Sequence, residues 1–341
     1  MDLEENDYVD MEVYINDDRV ENDFRTNTFS KFNKNEVKKT LLSDLSKGRI
    51  ENACYWCAEL VCSGHLMDIW EIFLFYLGKN IYLGNPKLIF YLKNRWDNYD
   101  LILSKYKSFD FRNDKRIRKL FAEIICILSQ SKKRQCIEPL KISIVDDFDI
   151  TYISTRLKAP STEYSSSVFK KNDPKGFFIA INELCYSISN DGLDITSACY
   201  WIEWILEFDI VCKKKKKKED YVCEQRYYLS IHSKYQKDVV WILWDAFFLY
   251  AKSKDKFRIE LLQSLLDIFC IQYTSSLCKK RRYLLYLATG IIIDHVEKDI
   301  DLIINKEMVV NVVKQIDDVY NVIKKNETVS NKSYLFTGLY K

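Results

Sequence analysis

Cys54, Cys57, Cys62 and His65 form the tightest grouping of metal-ligand residue types in the 341-residue chain. A C-x-x-C pair with a third thiol and an imidazole matches the donor set of structural zinc, which wants four ligands and usually a second pair. No second C-x-x-C exists, and a related stretch further on keeps one thiol, Cys199. Helical spacing also puts Cys57 on an apolar face with Trp56. Core thiols are therefore the favoured reading, with no metal expected. A thioredoxin-type redox role needs a strand before the motif, whereas the stretch reads as helix. The three histidines, His65, His232 and His295, follow a helix-ending glycine, lie in a polar stretch and close an apolar helix. They read as surface or capping residues. Glu59 and Glu203 stand at different offsets from the aromatic motif described below, so matched acid/base roles are unsupported. No G-x-x-x-x-G-K-[ST] or G-x-G-x-x-G loop is present, which argues against a nucleotide cofactor. No catalytic residue is assigned and no cofactor is expected.

Basic clusters carry more weight. Arg116, Arg118 and Lys119 fall in the first turn of an expected helix, and Lys280, Arg281 and Arg282 open another. Cations there oppose the helix dipole, so an anionic partner would offset the cost. The candidates are nucleic-acid phosphates, the protein's own acidic N-terminus, or an acidic neighbour; a solvated face is the plain alternative. Six lysines in a row start at Lys213, and Lys213, Lys214, Lys215 and Lys216 join the candidate contact set.

The elements that must position these residues show a repeat. Ala53-Cys54-Tyr55-Trp56 recurs as Ala198-Cys199-Tyr200-Trp201. Each copy follows an apolar helical stretch ending near a glycine and precedes a second aromatic stretch and then a basic cluster. This order predicts one helical unit used twice, with Trp56 and Trp201 in the inter-helix cores. Val37, Leu41 and Leu45 share a helical face that ends at Gly48. Ile117, Leu120, Phe121, Ile124, Ile125 and Leu128 form a clean stripe. Helices are also expected near 237–253, 255–270, 282–296 and 306–325.

The expected organisation is an acidic disordered tail over 1–33, a helical module over 34–138 and a Pro/Ser-rich linker over 139–176 with a short strand. A second module follows over 177–325, with a Lys-rich insertion at 212–222, and then a tail over 326–341. The first 25 residues hold ten Asp/Glu against two Arg, a balance typical of disorder.

Bulk numbers agree with an all-α fold. Eight glycines and four prolines are about a third of the usual share, which suits helices rather than turn-rich sheets. Apolar residues at 48% and charged residues at 30% are a globular balance. The net charge of +3 gives little overall pull on nucleic acid. Eleven cysteines without a basic-apolar leader read as free thiols in a reducing compartment, cytoplasmic or nuclear rather than secreted. No apolar run approaches the ~18 residues of a membrane span.

Tyr55, Trp56 and Gly64, followed by Leu83-Gly84-Asn85-Pro86, resemble the C-terminal helical domain of clamp-loader-related AAA+ ATPases. There an Ala/Tyr/Trp helix, a glycine turn and a Gly-x-Pro turn recur in a collar that drives oligomerisation near DNA. The match covers about 50 residues, lacks the ATPase module, and has no Gly-Asn-Pro in the second copy, where Tyr200 and Trp201 stand alone. The chain also resembles an uncharacterised protein of large cytoplasmic DNA viruses. The resulting expectation is a non-enzymatic scaffold in a replication, repair or transcription assembly. It would bind other protein subunits as a homo- or hetero-oligomer, with nucleic-acid backbone as a further partner and no membrane. The alternatives are a virion structural protein and an enzyme whose site the residues do not reveal.

Overall fold

The computed structural model describes residues 13–106, 109–214 and 221–328. Among them the chain forms thirteen α-helices and no strand. The fold is all-α. These helices are α1 (Lys34–Lys47), α2 (Ile50–Cys62), α3 (Leu66–Tyr76), α4 (Lys87–Leu103), α5 (Lys115–Gln130), α6 (Ile150–Ser154) and α7 (Phe178–Ile188). After them come α8 (Ile195–Lys214), α9 (Val240–Ala251), α10 (Lys256–Phe269), α11 (Ser275–Cys278), α12 (Arg282–Ile293) and α13 (Lys306–Lys324).

Local chemistry sets their ends. Asn33, Asp114, Asp149 and Asn305 each cap a helix by accepting from backbone N–H groups of the first turn. Asp194 does the same for α8 through Ser197 N–H, 3.0 Å. Gly48 closes α1 in the left-handed conformation, φ 69°, as its place after the apolar stripe predicts. The whole predicted stripe of α5 is buried.

Two compact units share the chain: Met1–Phe73, Asn94–Ser131 and Asp301–Lys341 in the first, Leu74–Lys93 and Lys132–Ile300 in the second. These cut across the two sequential modules expected from the repeat. In the first unit α13 lies on α2 and α5, so the last helix belongs here and not with the second module. Its Tyr320 and Ile323 are buried. Trp70 packs edge-on against Trp96 at 5.2 Å and Tyr99 at 5.4 Å, with Phe121 beside it. The expected disordered tail over 1–33 is corrected for residues 13–33, since Val13, Ile15, Phe24 and Phe29 are core residues. The remainder, 1–12, lies outside the described residues. Four apolar anchors in an acidic stretch have no helical period, and periodicity could not find them.

In the second unit α7 and α8 form a hairpin packed by α9 and α12, with α10 against α9 and α12. The expected linker with a strand is corrected too: residues 143–147 turn, α6 follows, and the segment is fastened to α7. Asn182 accepts from Ser165 N–H at 3.2 Å and donates to Ser161 O at 2.8 Å, while Glu183 takes the N–H groups of Lys158 and Ala159. A strand-like alternation here serves a strap instead.

Residues 74–93 join the second unit because they lie close on α12. An added Cβ at Gly78 would stand 2.8 Å from the Tyr283 backbone, and one at Gly290 2.0 Å from Tyr82 Oη. Arg134 N–H donates to Ile81 O and Cys136 N–H to Lys79 O, holding the segment on its other side. Replacing Gly78 with Ala is expected to cost about 1–3 kcal/mol through overpacking, read as a lower urea midpoint. An unchanged midpoint would show the approach to be unimportant.

Candidate functional site

Of the eight described basic residues expected to face a partner, Arg118 and Arg281 are buried, Arg116, Lys119, Lys213 and Arg282 are half-buried, and Lys214 and Lys280 are exposed. Arg116 is half-buried and answered locally: its Nη2 pairs with Asp114 Oδ2 at 2.7 Å, while Asp114 Oδ1 takes the Arg116 N–H at 2.7 Å. The capping carboxylate thus offsets both the helix dipole and the cation. Burial raises the Asp114 pKa, and the Arg116 guanidinium with the Tyr106 hydroxyl outweighs it, so the carboxyl lies below its ordinary range.

Arg118 is buried. It donates to the carbonyls of Arg112 (3.0 Å) and Val13 (3.2 Å) and to Asn113 Oδ1 (3.1 Å). It also pairs with Asp317 at 3.3 Å and lies over the Tyr320 ring at 4.2 Å. One cation therefore joins the N-terminal segment, α5 and α13. Lys119 is half-buried on the same helix.

In the second unit Arg281 is buried and donates to Phe269 O at 2.5 Å. Arg282 donates to Glu203 Oε2 at 2.9 Å, and Tyr286 Oη donates to Glu203 Oε1 at 2.7 Å. Burial raises the Glu203 pKa above its ordinary value against the pull of Arg282. Glu203 thus has a clear structural task. Lys213 sits between Asp209 (2.8 Å) and Asp238 (2.9 Å). Asp238 also accepts from Tyr273 and Ser275 hydroxyls. Lys214 and Lys280 are exposed. Lys215 and Lys216 lie outside the described residues. The contact set expected from sequence is thus dispersed, and Arg118 and Arg281 are corrected from partner contacts to internal ties. Their counter-groups lie far along the chain, Asp317 being 199 residues from Arg118, where no local pattern could show them.

The repeated motif occupies the fourth to seventh residues of α2 and α8, but its rings meet different surroundings. Trp201 is buried, whereas Trp56 is half-buried against Phe32 at 5.3 Å and Tyr55 at 5.0 Å. Tyr200 Oη donates to the buried Asp147 at 2.6 Å, and Trp204 Nε1 donates to the Asp147 carbonyl at 2.7 Å. Tyr55 instead faces Glu59 at 3.4 Å. Gly64 follows α2 in the left-handed conformation, its Cα against the Phe109 ring. Asn85 and Pro86 are buried ahead of α4, with Leu88 N–H donating to Asn85 O.

Cys54, Cys57 and Cys62 are buried on α2. Burial pushes the Cys54 thiol up to about 12 and raises the other two as well. His65 Nε2 lies 2.7 Å from Phe24 O, an engagement that serves the fold. All eleven cysteines are free. Among the described residues no group of three or more His, Cys, Asp or Glu could hold a metal ion, and no helix is long and apolar enough to cross a membrane.

No family model, curated protein or solved structure matches this chain.

Sequence reasoning missed two sets. Arg226 is fully buried between Asp173 (2.7 Å) and Asp245 (2.9 Å), as an isolated arginine in a polar stretch. A turn at residues 143–147 holds Ile144 54% and Val145 82% exposed. A period-two run of apolar residues was its one sequence signal.

Breaking a buried, hydrogen-bonded cation costs about 3–5 kcal/mol, so Arg118→Ala should lower stability by that order. Lys280→Ala should stay within about 0.5 kcal/mol. Equilibrium denaturation of both checks the contrast, and equal effects would contradict it. At Asp194, burial raises the pKa but Lys158 and Ser197 outweigh it, leaving the carboxyl at about 2. A depressed folded-state pKa stabilises above the unfolded value and is lost as pH falls through the folded one. Wild type should therefore lose an increment of stability between about pH 4 and 2 that Asp194→Asn lacks, as read by acid titration of helicity; parallel curves would refute it.

Proposed function

We propose that the protein is a non-enzymatic helical scaffold that joins protein subunits, with the 140–157 strap of the second unit as its contact surface. The observation that supports this reading is the exposure of apolar side chains there. Ile144 and Val145 stand at the tip of a turn closed by Asp147, whose Oδ2 accepts from Ser143 N–H at 2.7 Å. Ser143 Oγ donates to Asp146 Oδ2 at 2.8 Å. Leu140, Tyr152 and Leu157 are exposed on the same segment. Exposed apolar side chains gathered on one segment are what a protein-contact surface would bury. Asp147 is held by Tyr200 and Trp204 of α8, which links the second copy of the repeated motif to presentation of the turn.

A replication or transcription setting is what the clamp-loader-collar resemblance implies, and descent of α1–α2 and α7–α8 from one ancestral hairpin is what the repeated Ala-Cys-Tyr-Trp implies. Nucleic-acid contact draws little support from the basic clusters, because Arg118 and Arg281 serve the fold. It rests on exposed Lys214 and Lys280, and such binding should weaken steeply with salt.

Light scattering tests the scaffold. The wild-type mass should rise above 40.6 kDa with concentration, and Ile144→Ser with Val145→Ser should return it toward the monomer without altering helicity. A monomeric wild type at every concentration, with no change in the double variant, would remove the self-assembly form of this reading.

A further inference from the structure

Lys171, Lys175, Lys214 and Lys237 of the second unit are exposed, and none of them has an ion-pair partner among the described residues. They stand on segments that the fold ties together. Asp173 accepts the Glu224 N–H at 2.9 Å, which sets the 221–226 stretch against the loop that carries Lys171 and Lys175. Lys237 O accepts the Cys223 N–H at 3.2 Å, and Gln236 O accepts the Arg226 N–H at 3.0 Å, so residues 236–237 join the same stretch. Lys213, beside Lys214 at the end of α8, reaches Asp238 at 2.9 Å. Phe177 and Phe208 close the circuit, ring against ring at 5.2 Å.

The described carboxylates of these segments are already taken. Asp173 holds the Arg226 guanidinium through both oxygens, at 2.7 Å and 2.8 Å. Asp209 and Asp238 share Lys213, and Glu224 lies 3.6 Å from Lys170. Four ammonium groups are thus left facing solvent with no described counter-charge. The 221–237 stretch also presents Tyr227, which follows the buried Arg226 and is 80% exposed. Tyr228 is spent on Asp245, at 2.7 Å, whereas Tyr227 makes no hydrogen bond or ring contact among the described residues.

Cations alone suit any polyanion. Cations beside an exposed aromatic ring suit single-stranded nucleic acid in particular, with phosphates on the ammonium groups and a base stacked on the ring. We propose that this face of the second unit binds single-stranded nucleic acid without sequence preference. A tyrosine ring offers its face to any base, and lysine contacts with phosphate carry no sequence information. Binding there rests on the nucleic-acid contact proposed above, gives it a place in the fold, and does not involve the 140–157 strap.

Fluorescence anisotropy of a labelled oligothymidylate of about 12 nucleotides, titrated with full-length protein over a series of salt concentrations, tests it. Lys215 to Lys218 lie outside the described residues and are not counted in this face, so the series is run with those four changed to Gln as well as in wild type. On the Gln background, four lysine–phosphate contacts give a slope of log K against log salt of about −3. Lys171→Gln with Lys237→Gln should halve that slope. Tyr227→Ala should weaken binding about tenfold at an unchanged slope, and Tyr227→Phe should restore it, since stacking needs the ring and not the hydroxyl. The substituted positions are exposed, so helicity should not change. Binding that ignores Lys171, Lys237 and Tyr227 overturns this face and leaves nucleic-acid contact to other parts of the chain. No binding at low salt removes both, and neither result touches the self-association test of the strap. Equal affinity for phosphatidylserine vesicles, with Tyr227→Ala without effect on the oligonucleotide, would mark a plain polyanion surface and overturn the assignment too.

Discussion

Burying a guanidinium is the constraint on which much of this fold depends. Arginine cannot shed its proton to escape a low-dielectric interior, so every buried one must be met by acceptors brought from elsewhere. Arg118 gathers the carbonyls of Val13 and Arg112, the Asn113 amide and Asp317. That requirement draws the N-terminal segment and α13 onto α5. Arg226 does the same in the second unit, taking Asp173, Asp245 and the Glu224 carbonyl. Removing either cation would strand carboxylates and carbonyls as well as the charge, so these ties resist piecemeal substitution.

The same constraint explains what could be read from the sequence. Helices followed from apolar spacing: the stripe of α5 and the ends of α1 and α8 are local properties, set by Gly48 and Asp194. The sign of the basic clusters was local too, but their meaning was not. Arg116 is answered two residues away by Asp114, Arg282 by Glu203 79 residues away, and Arg118 by Asp317 199 residues away. A cluster of cations looks the same in sequence whether its partners are solvent, phosphate or distant carboxylates. The acidic N-terminal stretch misleads for a related reason. Its charge density suggests disorder, while Val13, Ile15, Phe24 and Phe29 supply enough apolar burial to order residues 13–33.

The chain's division into units has a different physical origin. A tandem repeat predicts neighbours in sequence that are neighbours in space. Here residues 74–93 pack with the second unit because Gly78 and Gly290 remove the side chains that would hold the backbones apart. Such complementarity depends on pairs of positions more than 200 residues apart in sequence, and neither glycine announces its partner. The aromatic repeat marks two helices with the same register. It does not mark their surroundings, where Tyr200 meets Asp147 and Tyr55 meets Glu59.

The buried arginines are met in more than one way. Arg118 uses Nε, Nη1 and Nη2, and Arg226 uses all three nitrogens on protein acceptors. Arg112 is met differently, by the Asp17 carbonyl at Nη2 and by the face of the Phe109 ring. Stability alone would favour an apolar residue there, since an isosteric apolar side chain avoids the desolvation penalty. The exposed turn at Ile144 and Val145 is the contrasting case, a side-chain chemistry that the described fold presents and does not bury.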